Sequence, residues 1–542
     1  MPAAFEYRDI YLPIYSSDDN ERLHLSYLDD VWGIWGHNLQ NVFGDEPSND
    51  VYAEVNGKVN DNQFCFSSDA LYDNIVDFIH NHYLLSDSIY FAILPNDNSI
   101  VCLCEECVAA GNSAGNASPA VNNMIVRLAK KFPEHKFFTS DYLTTRETPR
   151  YPMPANTGVI VSAMDYPLSA VETPKEKEFI ARLKKWGETT DKVYVWDYVQ
   201  DFDDYFTPYP VFTIMQRRLQ QYRDAGVNGV FINGSGNDYS TFGRIKKAVL
   251  AEMLINPDID WEPVLRKYAK EYYPHAGNDI ADFMVIQEKA IAQNGKKLPL
   301  YEGVNTALKI YLPEQPFIDF YNKAVTHKKA VSGFEKDDLE KMTDAMALTM
   351  LELKRLNNDV TNTAKLKERL GRLPGMGINQ YNESGLTIQS YLNDYEKMET
   401  NLQATQGRNV LKGVRLNPKT ALDEDYTDIS IVTDGLLGMP SNYHNGNLIV
   451  SAETFKLGVP RVGGMKTLRV WMVNNPAFRI YLPDEVALAV DGVQRGVKVP
   501  AASDDAGHSY VDFEVPAGGE ITLTFTKNPD HKTMAIDEIE AF

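Results

Sequence analysis

The chain is poor in sulfur, lacks any long apolar run and is short of positive charge. Only four cysteines occur in 542 residues, too few for a scaffold held together by disulfides. No run of about 20 apolar residues occurs, so no ordinary membrane-spanning helix is expected. Lys and Arg number 53 against 75 Asp and Glu, a formal net charge of −22, and the isoelectric point is near 4.9. A protein that neutralises phosphates needs a basic face, so nucleic acid and anionic membrane are not expected partners. The opening MPAAFEYRDIYLPIY has no basic region followed by an apolar one, and no export signal is visible in it. No glycine-rich turn follows the first strand-like run, which tells against a dinucleotide-binding sheet.

What is present is ordinary for a globular protein, with 44% hydrophobic and 24% charged residues. The length implies two or three domains. Over residues 1–256, strand-like runs alternate with amphipathic helical ones. The strand candidates are Phe5–Leu12, Val31–Leu39, Gln63–Ser67, Ser88–Leu94, Lys136–Tyr142, Gly158–Met164, Val193–Tyr198 and Gly229–Asn233. Helical spacing covers Ala70–His82, Pro119–Phe132, Pro174–Gly187, Val211–Ala225 and Phe242–Ile255, and Ser118-Pro119 reads as an N-cap followed by a first-turn proline. Eight strands with crossover helices predict an α/β fold, a (β/α)8 TIM-like barrel. Residues 257–404 read as a helical region packed on the barrel, with Leu339, Met342, Met346, Thr349, Leu353 and Leu356 on one buried face. The glycine-rich stretch Leu370–Asn382 either covers the barrel mouth or joins two helices. Residues 405–542 carry short strands between Gly, Pro, Asn and Asp turns, as in an antiparallel β-sandwich or jelly roll.

Several motifs in order resemble the bacterial domain-of-unknown-function family 4838. They are Arg8 in Phe5-Glu6-Tyr7-Arg8, Trp35-Gly36-His37-Asn38, Gly57-Lys58 with Gln63-Phe64-Cys65, and Asn96-Asp97 with Cys102, Cys104 and Cys107. Trp196-Asp197-Tyr198 before Pro208-Tyr209-Pro210, and Gly226–Phe231, complete the set. The resemblance implies a glycoside-hydrolase-like barrel, distantly similar to β-hexosaminidases and α-glucuronidases. It also implies a periplasmic, cell-surface or secreted setting in polysaccharide-degrading bacteria, often with a further N-terminal domain. Val432-Thr433-Asp434-Gly435 and Ile536-Asp537-Glu538-Ile539 resemble the galactose-binding-like accessory domains of carbohydrate-active enzymes.

Hydrolysis of a glycosidic bond needs a carboxylic acid to protonate the leaving oxygen and a second group to activate water, attack, or orient the substrate. In a barrel these groups sit at the C-terminal ends of strands, where Asp97, Asp141, Asp165 and Asp197 fall. Asp97 is the first candidate for the acid and Asp165 for the second catalytic group, although Pro95-Asn96-Asp97-Asn98 also reads as a turn. Asn96 and Asn98 are suited to sugar hydroxyls. Strand alternation puts Tyr194, Trp196 and Tyr198 on one face and Asp197 on the other. If the aromatic face points inward, Trp196 and Tyr198 line a sugar-stacking wall and Asp197 points to the helices. Arg8, Trp35, His37, Asn38, Asp141, Tyr142 and Asn233 complete the expected substrate-binding set, Arg8 and His37 having structural alternatives. Cys65, Cys102, Cys104 and Cys107 are expected to meet, either as a structural zinc site or, in an exported protein, as two disulfides. No cofactor is expected for catalysis. The expected activity is a glycoside hydrolase acting on an oligo- or polysaccharide, the alternative being a non-catalytic glycan-binding protein on a degenerate barrel.

Overall fold

The structure is a computed structural model and describes residues 2–16, 18–44, 47–84, 86–405, 407–423, 426–501 and 507–542. The chain divides into two compact units. The first comprises Met1–Gln200, Pro210–Asn237 and Phe242–Leu298, and the second Asp201–Tyr209, Asp238–Thr241 and Pro299–Phe542.

In the first unit the strands are β1 Tyr7–Tyr11, β2 Trp32–Ile34, β3 Tyr52–Val55, β4 Lys58–Phe64, β5 Tyr90–Ala92, β6 Lys136–Asp141, β7 Thr157–Ser162, β8 Leu168–Ser169, β9 Lys192–Tyr198, β10 Gly229–Asn233 and β11 Lys297–Leu298. Seven of them form one parallel sheet in the order β1-β10-β9-β7-β6-β5-β2. The expected third barrel strand, Gln63–Ser67, is not in this sheet. Its first two residues end β4, which pairs antiparallel with β3, and β2 pairs directly with β5. The cause is local: Asn56 and Gly57 both have positive φ, 52° and 73°, which is the two-residue turn that folds a hairpin instead of starting a crossover. Among the described residues no ladder joins β1 to β2. The sheet is nonetheless curled, because the Tyr7 and Trp32 rings of those two edge strands lie 6.0 Å apart.

Register sorts the inner face into layers. Tyr7, Gly229, Tyr194, Ile160 and Ser140 align across five strands; Asp9, Phe231, Trp196 and Ser162 align in the next layer, and Tyr11, Asn233 and Tyr198 in the third. Large rings fill the lower layers, and glycine makes room for them. A Cβ on Gly158 would come within 2.3 Å of the Phe138 ring, and one on Gly229 within 2.8 Å of Tyr194. The opposite face packs against helices. Asp69–His82 is capped by the Ser68 side chain and Pro174–Gly187 by that of Thr173. The helix containing Pro119 starts one residue earlier than the sequence suggests, at Ser118, whose hydroxyl accepts instead from the Glu147 amide.

In the second unit, Gly333–Leu356 is a helix whose stripe from Leu339 to Leu353 is buried. The 370–382 stretch links the helices Ala364–Leu370 and Ile388–Thr405. The remainder is a sandwich of two five-stranded antiparallel-rich sheets. Phe455, Leu457, Leu523 and Phe525 from one sheet pack against Val470, Met472, Ile536 and Ile539 from the other. Ile429–Thr433, within the stretch expected to carry short strands, is a 3-10 turn. The two motifs at the ends of the sandwich meet, the Gly435 amide donating to Glu538 at 3.0 Å. Among the described residues no helix is long and apolar enough to cross a membrane.

Two carboxylates lock helices to the back of the curled sheet. Asp197 is fully buried, pairs with Arg218, and accepts from the Tyr222 hydroxyl at 2.6 Å. Asp141 accepts from the Trp186 indole at 2.7 Å and lies 3.1 Å from Arg182. Removing one member of such a buried pair leaves an uncompensated charge, which costs about 3–5 kcal/mol. Asp197→Ala is therefore expected to lower Tm by on the order of 10 °C in a thermal melt. A shift too small to measure would show that the pair does not carry the sheet–helix junction.

Candidate functional site

The C-terminal end of the parallel sheet gathers aromatic rings under a polar rim. Trp35, which follows β2, stacks on Trp196 with centroids 5.2 Å apart and planes within 4°. Both also pack edge-on or tilted against Phe231. Each is only half-buried, so the pair is at once the top of the packed interior and the floor of the mouth. The Trp196 indole N–H is buried and has no protein acceptor among the described residues.

The rim is built from loops that follow β2, β5 and β6. His37 Nδ1 lies 2.6 Å from the Pro95 carbonyl. A carbonyl only accepts, so Nδ1 carries the proton and Nε2 is left to face other groups. The His37 and Tyr142 rings lie 5.9 Å apart, and the Asp97 carboxyl is near enough for its charge to act on the Tyr142 phenol. Burial, with the charge of Asp97 next, pushes Tyr142 up to about 12. Tyr198 is buried beside Ser162 at 3.3 Å, and burial raises its phenol well above the ordinary range. Asn233 stands in register with Tyr198 at the end of β10. The turn after it folds back on β1, the Gly236 amide donating to the Tyr11 carbonyl, and so serves as a turn.

The loop that carries Asp97 is held by the hairpin that replaces the third barrel strand. Gln63, 2% exposed, accepts from the Asn96 amide at 2.9 Å and donates to the Asn96 carbonyl and the Asn98 side chain. The Asn62 carbonyl accepts from both asparagine side chains. Asn96 and Asn98, expected to bind sugar, thus spend their amide N–H groups on the hairpin. The four cysteines follow in the same hairpin and loop, all four sulfurs within 4.8 Å of one another and none in a disulfide.

Other expected site residues lie elsewhere. Asp141 and Asp197 have the parity of the back face and hold helices there, as described above. Arg8 also lies off the inner face; its guanidinium donates to the His24 and Phe5 carbonyls and braces the chain beside β1. Asn38 is exposed and caps the Trp35 carbonyl. Asp165 is exposed and paired with Arg146, in a groove of about 350 Å³ that Lys175, Phe179 and Arg182 also line. Its charge still reaches Tyr142.

One inward carboxyl escaped the sequence reading. Asp9 is aligned with Phe231 and Trp196 in the layer that forms the floor, is 6% exposed, and accepts from the Tyr7 hydroxyl at 3.1 Å. Burial pushes it up to about 6, with Tyr7 and Lys247 opposing and Asp29 adding to the rise. The alternation Tyr7-x-Asp9-x-Tyr11 was the available signal. A carboxyl raised on folding stabilises the native state below its unfolded pKa and loses that contribution as pH climbs from about 4 through about 6. Asp9→Asn, which keeps an acceptor for Tyr7, is expected to remove this loss. Relative to native protein it should gain up to about 3 kcal/mol between pH 4 and pH 7.5 in paired denaturant titrations, and parallel pH profiles would contradict a perturbed Asp9.

No curated protein shows significant similarity to the chain. Among solved structures, a family GH115 4-O-methyl-α-glucuronidase with specificity for decorated arabinogalactans is 12% identical, with a TM-score of 0.36. That alignment covers 87% of this chain and 66% of the enzyme. A GH138 enzyme targeting pectin rhamnogalacturonan II is 9% identical, with a TM-score of 0.32, over 99% of this chain and 84% of its own. The family described as Domain of unknown function (DUF4838) matches residues 5–285, more than half of the 542 residues and the part that builds the curled sheet, so the chain belongs to that family.

Proposed function

We propose that the chain is a carbohydrate-active protein whose parallel-sheet mouth hydrolyses a glycosidic bond in an oligo- or polysaccharide. The observation that carries this reading is the stacked, half-buried indole pair Trp35 and Trp196 at the C-terminal end of the sheet, with Asp9 in the same register layer as Trp196 and Asp97 on the loop that follows β5. Indole faces suit the CH faces of a sugar ring, and the buried Trp196 N–H suits a sugar oxygen. Asp9, which burial pushes up to about 6, has the character of a proton donor at mildly acidic pH. Asp97, on the rim near Tyr142, is the carboxylate that attacks or activates water. In this reading His37 Nε2 and Tyr198 bind hydroxyls. Asp165 remains a substitute for either carboxyl, and its pairing with Arg146 outside the floor layer makes it the weaker candidate.

The second reading is a glycan-binding protein without turnover. It is favoured by the exposure of Asp97, since a catalytic carboxyl is usually shielded from water. A panel of plant, microbial and host glycans, scored for both product release and binding, separates the two. The hydrolase reading expects a released sugar, with Asp97→Asn and Asp9→Asn each lowering turnover by about 10²–10⁴-fold while binding survives. Trp196→Ala should instead weaken binding. Glycan binding with no product from any substrate would establish the second reading, and neither binding nor product would reject both.

A further inference from the structure

Cys65, Cys102, Cys104 and Cys107 are not used by the proposed chemistry, and their arrangement asks for an occupant. Four sulfurs contributed by two chain segments converge on one point. Cys65 Sγ lies 3.7 Å from Cys104 Sγ and 3.7 Å from Cys107 Sγ, and all four lie within 4.8 Å of one another. A tetrahedron of sulfurs about 2.3 Å from a central zinc has edges of about 3.8 Å. Pairwise oxidation has no need of such a cluster, because each sulfur then approaches one partner and not three.

The surroundings suit thiolates. The Glu54 amide donates to Cys102 Sγ at 3.2 Å and the Cys107 amide to Cys104 Sγ at 3.4 Å. Ser67 Oγ lies 3.2 Å from Cys107 Sγ, where its hydroxyl is able to donate to a deprotonated sulfur. Outer contacts of this kind orient metal ligands and tune their affinity. Cys65, Cys102 and Cys107 are buried in the apolar cluster between the sheet and its helices, so four protein ligands would close the site and leave no position for substrate. That is the pattern of a structural ion, not a catalytic one.

We propose that these four cysteines bind one zinc ion as thiolates, each giving up its S–H proton to solvent, and that the ion ties β4 to the loop carrying Asp97. No change of oxidation state is involved. The site stands apart from the sugar chemistry, so either idea can fail without the other.

The test uses the full chain purified without chelator. Its zinc is measured by plasma mass spectrometry, and its thiols are titrated with a mercurial reagent. The expected result is stoichiometric zinc, released in step with the thiols. Cobalt(II) added to stripped, reduced chain should produce the strong visible bands and sulfur-to-metal charge transfer of a tetrahedral four-thiolate site. Ser67→Ala keeps every ligand and should weaken the metal by about 10-fold or more. Two results overturn the proposal: four free thiols with no zinc and no uptake of cobalt, or a native chain whose cysteines are oxidised in pairs.

Discussion

The bond network of one buried amide, Gln63, fixes the shape of the mouth. In a regular barrel a third strand would join the second to the fourth. Here the Asn56-Gly57 turn folds that stretch into a hairpin, and the hairpin's last residues reach the neighbouring loop with side chains instead of a ladder. Gln63 uses both ends of its amide, two acceptor bonds to the Asn96 and Phe64 N–H groups and two donor bonds to Asn96 and Asn98. In a dry setting each such bond is worth keeping and costly to leave unmade. The loop that bears Asp97 is therefore held by a residue of the neighbouring hairpin.

Strand alternation divides the charged residues by task. Along β9, Trp196 and Tyr198 point into the curl while Asp197 points away and anchors Arg218 and Tyr222. Along β6, Asp141 does the same for Trp186 and Arg182. The buried carboxylates behind the sheet are engaged by side chains of the helices there, which holds those helices in place. The inward Asp9 accepts from the Tyr7 hydroxyl, and the rim's Asp97 acts through its charge on the Tyr142 phenol. Chemistry needs this second kind of group, partnered enough to be held and free enough to exchange a proton.

Much of the first unit was legible because its signals are local and repeated. β10 matches its sequence range to the residue, as does the helix Pro174–Gly187, and the parity argument on Tyr194, Trp196 and Tyr198 predicted which face Asp197 takes. The hairpin was missed although Asn-Gly between β-prone residues is a strong short-range signal; the regular spacing of its neighbours outweighed it. Arg8 and the two asparagines beside Asp97 could not be placed from sequence, because their side chains satisfy carbonyls contributed from elsewhere in the fold. Asp9 was readable from alternation on β1. It lies in the middle of β1, whereas catalytic groups of a barrel are expected at the C-terminal ends of strands.

The hairpin, through Gln63, positions the loop bearing Asp97. Amide hydrogen exchange on Gln63→Ala tests it directly. Loss of two to three bonds of about 1 kcal/mol each should speed exchange across residues 95–104 on the order of tens-fold, while β6 and β9 keep their protection. Unchanged exchange in that loop, or acceleration spread evenly over the whole sheet, would contradict the account.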